Sequence, residues 1–228
     1  MIKKLIKRLI INTPLEGVAR AVLRREARVE FKTSGSYWEE RYLKGGTSGA
    51  GSYGRLAKFK ANVLNEFVAT NSVINVIEFG PGDGSQLSLA SYPTYTGVDV
   101  SETAVVACRE QFSQDQSKTF LTLQNYEGRR AELSLSLDVI YHLVEDEAFD
   151  TYMENLFDAA ERFVIIYSSN KDEQAVAQHV RHRKFTDWVS TNAPTFSLAA
   201  QIPNQYPFNP DDQENTSFAD FYVFQKSE

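Results

Sequence analysis

Hydrophobic and polar positions change rhythm along the chain. In residues 1–11, Ile2, Leu5, Ile6, Leu9 and Ile10 recur at helical spacing, with Lys3, Lys4, Lys7 and Arg8 off that stripe. Thr13-Pro14-Leu15-Glu16 then carries the marks of a second helix start: a capping hydroxyl, a proline suited to the first helical position, and a glutamate three residues after the cap. That helix is predicted to run to about Phe31, with Arg20, Arg24 and Arg28 along one face. From about residue 73 the pattern alternates between short apolar runs and helical segments. Residues 73–79, 95–100, 119–123, 133–137 and 163–167 read as strands. Residues 85–90, 101–112 and 145–162 read as helical or partly helical, and Ser101 can cap the second of these. A polar helical stretch is expected over residues 172–191. Two more strands are expected over 195–202 and 218–225, on either side of a Pro/Asn-rich loop at 203–210. Strands alternating with helices imply an α/β fold with a parallel sheet covered on both faces.

Composition narrows the class. The 228 residues suit one domain with a modest appendage, and 42% apolar, 24% charged, 12 Gly and 7 Pro exclude a disordered or collagen-like chain. The longest apolar runs, such as residues 163–167, are too short to span a bilayer. A single cysteine, Cys108, excludes a disulfide framework and a multi-cysteine metal site, and fits a reducing, cytoplasmic compartment. Charge is uneven. Residues 1–32 hold nine Lys or Arg against three Glu, so with a net charge of −6 the rest of the chain carries −12. The division expected is therefore a basic amphipathic helical arm over residues 1–34 and a domain over 35–228. The arm lacks the apolar core of a secretory signal. It suits peripheral contact with anionic lipid or an acidic partner through residues 1–32, or ordinary packing on the body or another subunit. The acidic body argues against a nucleic-acid partner.

The most informative segment is Val76-Ile77-Glu78-Phe79-Gly80-Pro81-Gly82-Asp83-Gly84-Ser85. A β-branched strand runs into Gly-x-Gly-x-Gly, which permits a tight turn and close approach of a ligand to the backbone. Asp99 follows 21 residues after Glu78, at the end of the next predicted strand, where a carboxylate can accept both hydroxyls of a ribose. The dinucleotide fingerprint calls for Gly or Ala at position 85, and Ser85 matches only in part. Glu78, just ahead of the glycines, repels a pyrophosphate and suits a cationic ligand.

On Glu78, Gly80, Gly82, Gly84 and Asp99 the chain resembles the class I S-adenosylmethionine-dependent methyltransferases, over about residues 35 to 225. The resemblance implies a doubly wound, seven-stranded, mostly parallel sheet of Rossmann-like type with the last strand antiparallel. It implies S-adenosyl-L-methionine as cofactor, with Gly80, Gly82 and Gly84 along its methionine part, Asp99 on the ribose, and Asn125 and Tyr126 near the adenine. The ligand chemistry agrees: a sulfonium, an ammonium, a diol and an adenine, with no phosphate.

The same resemblance places residues after the fourth strand near the transferred methyl group. Asp138 and His142, four apart, become the catalytic candidates, with Tyr141 beside the acceptor. His142 titrates near neutral pH and is a candidate general base for a hydroxyl acceptor. The glycine-rich stretch over residues 45–54, flanked by aromatics, is expected to fold over the cofactor as a lid, with Tyr42, Tyr53 or Arg55 touching cofactor or acceptor. His179, Arg181, His182, Arg183 and Lys184 form a local basic patch in the acceptor region, pointing to an anionic small molecule or glycan. Asp138, Asn170 and Asp172 are too loosely spaced for a catechol-type metal site, and no metal is expected. The reading is O-methylation of a small-molecule or glycan acceptor. N-methylation, a non-catalytic cofactor-binding scaffold or sensor, and a nicotinamide reductase are the alternatives.

Overall fold

The computed structural model describes residues 29–175 and 177–227. Most of the predicted arm lies outside those residues. Residues 29–33, at its end, are extended or bent, so the second arm helix does not reach Phe31. Among the described residues no helix is long and apolar enough to cross a membrane.

Two helices precede the sheet, α1 (Ser34–Leu43) and α2 (Gly54–Thr70). The remainder runs β1 (Asn75–Phe79), β2 (Thr94–Asp99), α3 (Glu102–Gln111), β3 (Lys118–Thr122), β4 (Ala131–Leu137), α4 (Asp146–Asp158) and β5 (Ala160–Ser168). A small hairpin of β6 (Glu173–Gln174) and β7 (Arg181–His182) leads to α5 (Phe185–Asn192), β8 (Phe196–Ile202) and β9 (Asp220–Lys226). The main sheet has seven strands in the order β3-β2-β1-β4-β5-β9-β8. β9 is antiparallel to both neighbours, and the five strands from β3 to β5 are mutually parallel.

Side-chain alternation builds a core on each face, because successive residues of a strand point to opposite sides. Leu133, Leu135 and Leu137 of β4 join Leu64 and Val68 of α2 and Val105 of α3 on one face. Val164 and Ile166 of β5 join Phe149, Met153 and Leu156 of α4 and Phe185 of α5 on the other. Each fully buried aliphatic or aromatic side chain contributes about 1.5–3 kcal/mol.

Three predicted helices differ from the structure. Residues 85–90 form only a single 3₁₀ turn, Leu87–Leu89, because Pro93 and the start of β2 at Thr94 leave no room for more. The helix expected to reach residue 162 ends at Asp158, and Arg162 already lies in β5. The stretch over 172–191 is not one helix. Asp172 Oδ1 accepts the Lys184 N–H (3.0 Å) and Asn170 Oδ1 accepts the Thr186 N–H (3.3 Å), so side chains satisfy the backbone where the hairpin hands over to α5.

Candidate active site

The parallel strands change direction of progression between β1 and β4, and open α/β sheets bind ligands at the carboxyl ends of the strands there. A cavity of about 520 Å³ lies at that point. It is bordered by the ends of β1, β2 and β4, the glycine turn, α1 and the first turns of α4. That size is in the range of small-molecule sites.

The glycine turn is fixed by backbone geometry. Gly80 and Gly82 have φ of 87° and 59°. A Cβ at Gly80 would stand 2.6 Å from Val139 Cγ2, and one at Gly82 would collide with Ser48 Oγ and stand 2.7 Å from Tyr42 Oη. Glycine is therefore demanded both by conformation and by what packs on the turn.

Two buried carboxylates border the cavity beside this turn. Asp99 accepts the Gly82 N–H on Oδ2 (3.0 Å) and the Ser101 N–H on Oδ1 (2.9 Å). Burial outweighs those bonds and pushes its carboxyl up to about 6. Each oxygen keeps a second lone pair, so the group can accept a vicinal diol. Glu78 accepts the Tyr95 hydroxyl (2.6 Å), and burial pushes it up to about 7. Two desolvated carboxylates, a diol-accepting geometry and close-packed glycines fit S-adenosylmethionine. Gly80, Gly82, Glu78 and Asp99 all border the cavity. Gly84 does not; it packs against Phe112 and Cys108 behind the turn.

A strap formed by α1 and the following loop covers the cavity. At its start, Ser34 donates its N–H and hydroxyl to Glu145 (3.0 and 2.6 Å). Farther along α1, Glu39 takes the hydroxyls of Ser101 and Thr103 at the start of α3, both at 2.6 Å. Burial tends to raise Glu39, but these bonds prevail and hold it below the usual range. The loop after α1 is pinned on Asp83, whose Oδ2 accepts the Ser48 N–H (2.9 Å) and the Tyr53 hydroxyl (2.6 Å). Ser48 Oγ in turn accepts the Asp83 N–H (2.9 Å). Tyr42 borders the cavity and hydrogen-bonds Ser48. Arg55 points elsewhere: it bonds Asn215 and Asp212 and lies 4.4 Å from the Tyr206 ring centroid.

Asp138 and His142 both border the cavity. Asp138 has a φ of 61° and joins Lys60 Nζ (2.5 Å) and the Tyr141 hydroxyl (2.8 Å). His142 is enclosed by Trp38 (ring centroids 4.8 Å, edge-on) and His179 (5.6 Å, stacked). Its Nδ1 lies 3.0 Å from the His179 carbonyl oxygen. A carbonyl only accepts, so Nδ1 carries the proton and Nε2 is the free acceptor. Burial pushes His142 down to about 4, which keeps the ring neutral at physiological pH.

The other expected site residues lie around the cavity rather than on it. Tyr126 is buried edge-on against Phe79 (5.2 Å), and Leu123 takes the cavity wall after β3 in place of Asn125 and Tyr126. Tyr141 lies one layer behind, holding Asp138. The basic patch is used internally. Arg181 and Arg183 both bind Asp146 (2.9 and 2.6 Å) and the Val144 carbonyl; Arg183 also lies over Phe149. His182 bonds Ser169 (2.7 Å). His179 stacks on Tyr37 (4.6 Å). None of these four borders the cavity. Sequence reasoning missed Trp38, Lys60 and Gln86, which do.

No protein-family model and no curated protein sequence matches the chain. Solved structures do. Magnesium protoporphyrin IX methyltransferase of Synechocystis PCC 6803 with bound S-adenosylhomocysteine aligns over 98% of this chain and 100% of its own, at 17% identity and a TM-score of 0.59. The N-methyltransferase NodS of Bradyrhizobium japonicum WM9, in complex with S-adenosylhomocysteine, aligns over 92% and 98%, at 15% and 0.60. An O-methyltransferase family protein of Burkholderia thailandensis aligns over 76% of this chain and 57% of its own, at 13% and 0.57. Strand order, the antiparallel β9 and the placement of the cavity agree with that likeness: the chain has the class I S-adenosylmethionine-dependent methyltransferase fold.

Proposed function

We propose that the protein is an S-adenosylmethionine-dependent methyltransferase that methylates a hydroxyl of an uncharged small molecule. The observation that carries the reading is the Asp99 carboxylate, fixed by two backbone N–H groups beside the close-packed Gly82 and turned to the cavity at the sheet's switch point. When bound, S-adenosylmethionine supplies a methyl group on a sulfonium sulfur. Asp99 holds the ribose and the glycine turn gives the cofactor close access to the backbone. The carboxylates of Glu78 and Asp99 favour the positive charge. Trp38 and the α1 strap exclude water.

His142 supports the choice of a hydroxyl. As the acceptor oxygen bonds to the methyl carbon and the carbon–sulfur bond breaks, the hydroxyl proton becomes strongly acidic. Neutral Nε2 can take it despite the ring's low basicity. An uncharged acceptor is favoured because Arg181 and Arg183 are committed to Asp146 and the loop carbonyls. The N-methyltransferase among the structural neighbours marks the amine alternative.

Calorimetric titration with S-adenosylhomocysteine tests the core of this reading. Wild type is expected to bind, and Asp99→Ala to bind about 10- to 100-fold more weakly, since hydrogen bonds to a charged group contribute about 1.5–3 kcal/mol. A folded wild type that does not bind overturns the proposal. His142→Ala should retain S-adenosylhomocysteine binding and lose turnover on neutral hydroxyl acceptors.

A further inference from the structure

His142 ends a single 3₁₀ turn, Ile140–His142, and the chain leaves helical geometry at Leu143. Two backbone bonds close that turn, from the His142 N–H to Val139 and from the Leu143 N–H to Ile140 (2.8 and 3.1 Å). So short a turn has poor hydrogen-bond geometry and does not by itself fix a side chain at its end. The restraint comes from the β6–β7 hairpin, 37 to 41 positions further along the chain.

The hairpin grips the chain from 142 to 146 at successive points. The His179 carbonyl oxygen lies 3.0 Å from His142 Nδ1, and the two imidazoles stack with their planes 14° apart. Arg181 donates to the Val144 carbonyl (3.0 Å). Arg183 donates to the carbonyls of Leu143 (3.3 Å) and Val144 (2.9 Å). Both guanidiniums also meet Asp146 (2.9 and 2.6 Å). Alternate residues of an extended chain share a face, so Arg181 and Arg183 work together while His182 between them turns away to Ser169. A planar fork of donors binds in a fixed direction, and here the forks take the two carbonyls that directly follow His142. The same segment is held from α1. Ser34 Oγ accepts the Val144 N–H (3.0 Å) and donates to Glu145 (2.6 Å), and Tyr37 stacks on His179.

We propose that the β6–β7 hairpin is a positioning element for methyl transfer. The His179 carbonyl holds the His142 proton on Nδ1. Arg181 and Arg183 hold the turn that carries the ring, so that Nε2 is the basic nitrogen at the acceptor hydroxyl. This rests on the hydroxyl-acceptor reading above. The hydrogen bond at one nitrogen of a neutral histidine decides which nitrogen carries the proton. With the proton on Nε2 instead, the ring would offer the acceptor a donor and no lone pair. In the held tautomer the acceptor's proton passes to Nε2, and the imidazolium formed keeps its Nδ1–H on the same carbonyl. His179, Arg181 and Arg183 do not border the cavity, so they act through His142 and not on the reactants.

The tautomer is read by ¹⁵N NMR of the imidazole nitrogens, the three histidines being assigned by single substitutions. Wild type is expected to carry the His142 proton on Nδ1. R181M/R183M keeps aliphatic bulk over Phe149 and removes both forks. It should bind S-adenosylhomocysteine as wild type does and lose the single tautomer. Its kcat on the neutral hydroxyl acceptor that wild type turns over best should fall about 10- to 100-fold with KM little changed, the cost of a misplaced reacting group. If that variant fails to fold, Asp146→Ala decides. Asp146 is 72% exposed, so its removal disturbs no core, and the freed guanidiniums should give the same changes in smaller measure. A wild-type proton on Nε2, a folded variant with tautomer and kcat unchanged, or an equal loss of S-adenosylhomocysteine binding overturns the positioning role and leaves the cofactor reading intact. Turnover untouched by His142→Ala refutes the base assignment beneath it. A folded wild type that does not bind S-adenosylhomocysteine refutes the cofactor reading itself.

Discussion

Replacing Lys60 by methionine isolates the energetics of the buried ion pair. Lys60 and Asp138 side chains are 1% and 14% exposed, with Nζ 2.5 Å from Oδ2. Without the cation, Asp138 keeps, among the described residues, the Tyr141 hydroxyl as its side-chain hydrogen-bond partner, and its backbone stands at a φ of 61°. Breaking a buried pair costs about 3–5 kcal/mol because the remaining charge stays desolvated. Asp138 borders the cavity, so water reaches it and the lower end, about 3 kcal/mol, is the value to expect. With a urea dependence of about 2–3 kcal/mol per molar, the unfolding midpoint should fall by about 1–1.5 M. Asparagine tolerates the left-handed backbone of position 138, so K60M/D138N should recover most of that loss. The assay is urea unfolding of wild type, both single variants and the double variant, followed by circular dichroism and fluorescence. If K60M costs less than about 1 kcal/mol, or the double variant costs the sum of the two singles, the pair is not coupled and the reasoning fails.

Affinity for S-adenosylhomocysteine should fall about tenfold between about pH 8 and pH 5, because Asp99, raised by burial to about 6, loses its second-diol acceptor on protonation. A flat calorimetric pH profile would count against Asp99 as the ribose ligand. Stability should show the matching sign. Asp99 and Glu78 hold protons in the folded state at pH values where the unfolded chain releases them, so their joint contribution declines as pH rises from about 4 to 7. E78Q/D99N should flatten that part of the urea-midpoint profile. His142, lowered to about 4, works in the opposite direction between about 4 and 6.5. Gly82→Ala puts a methyl group against Ser48 and Tyr42 and should displace the strap, read as faster proteolysis within residues 44–53. Glu39→Gln should weaken the strap's hold on α3 by about 1 kcal/mol, a several-fold rise in the same cleavage rate with the sheet's unfolding midpoint little changed.

The sheet was legible because its central strands β1, β4 and β5 are buried on both faces and the strands are separated by polar segments. All seven main strands fall within about three residues of their sequence positions. The Gly80–Gly82–Gly84 turn and Asp99 were legible because glycine at positive φ and an acid at a strand end leave a local signature. The basic patch misled because Arg181 and Arg183 satisfy Asp146 and carbonyls about 40 positions upstream, contacts that no local pattern encodes. α2 carried a signal that went unread: a lysine inside an apolar stripe at helical spacing. Its partner, Asp138, stands 78 positions away, so the sequence could mark Lys60 as anomalous without naming what it meets. Gln86 gave no signal, since only the fold reveals that one end of its amide is committed to Ala57 and the other to nothing.

The strap and the site share an electrostatic logic. Three carboxylates, Glu39, Asp83 and Glu145, anchor the strap through hydrogen bonds from hydroxyl and backbone N–H groups. Two further carboxylates, Glu78 and Asp99, lie buried beside the turn on which the strap packs, and burial disfavours the charged form of both. A sulfonium beside those carboxylates offsets that penalty, whereas the neutral thioether left after methyl transfer does not. On the methyl-transfer reading, the reactive cofactor is therefore held more tightly than the spent one, so the buried carboxylates that bind the cofactor also favour product release.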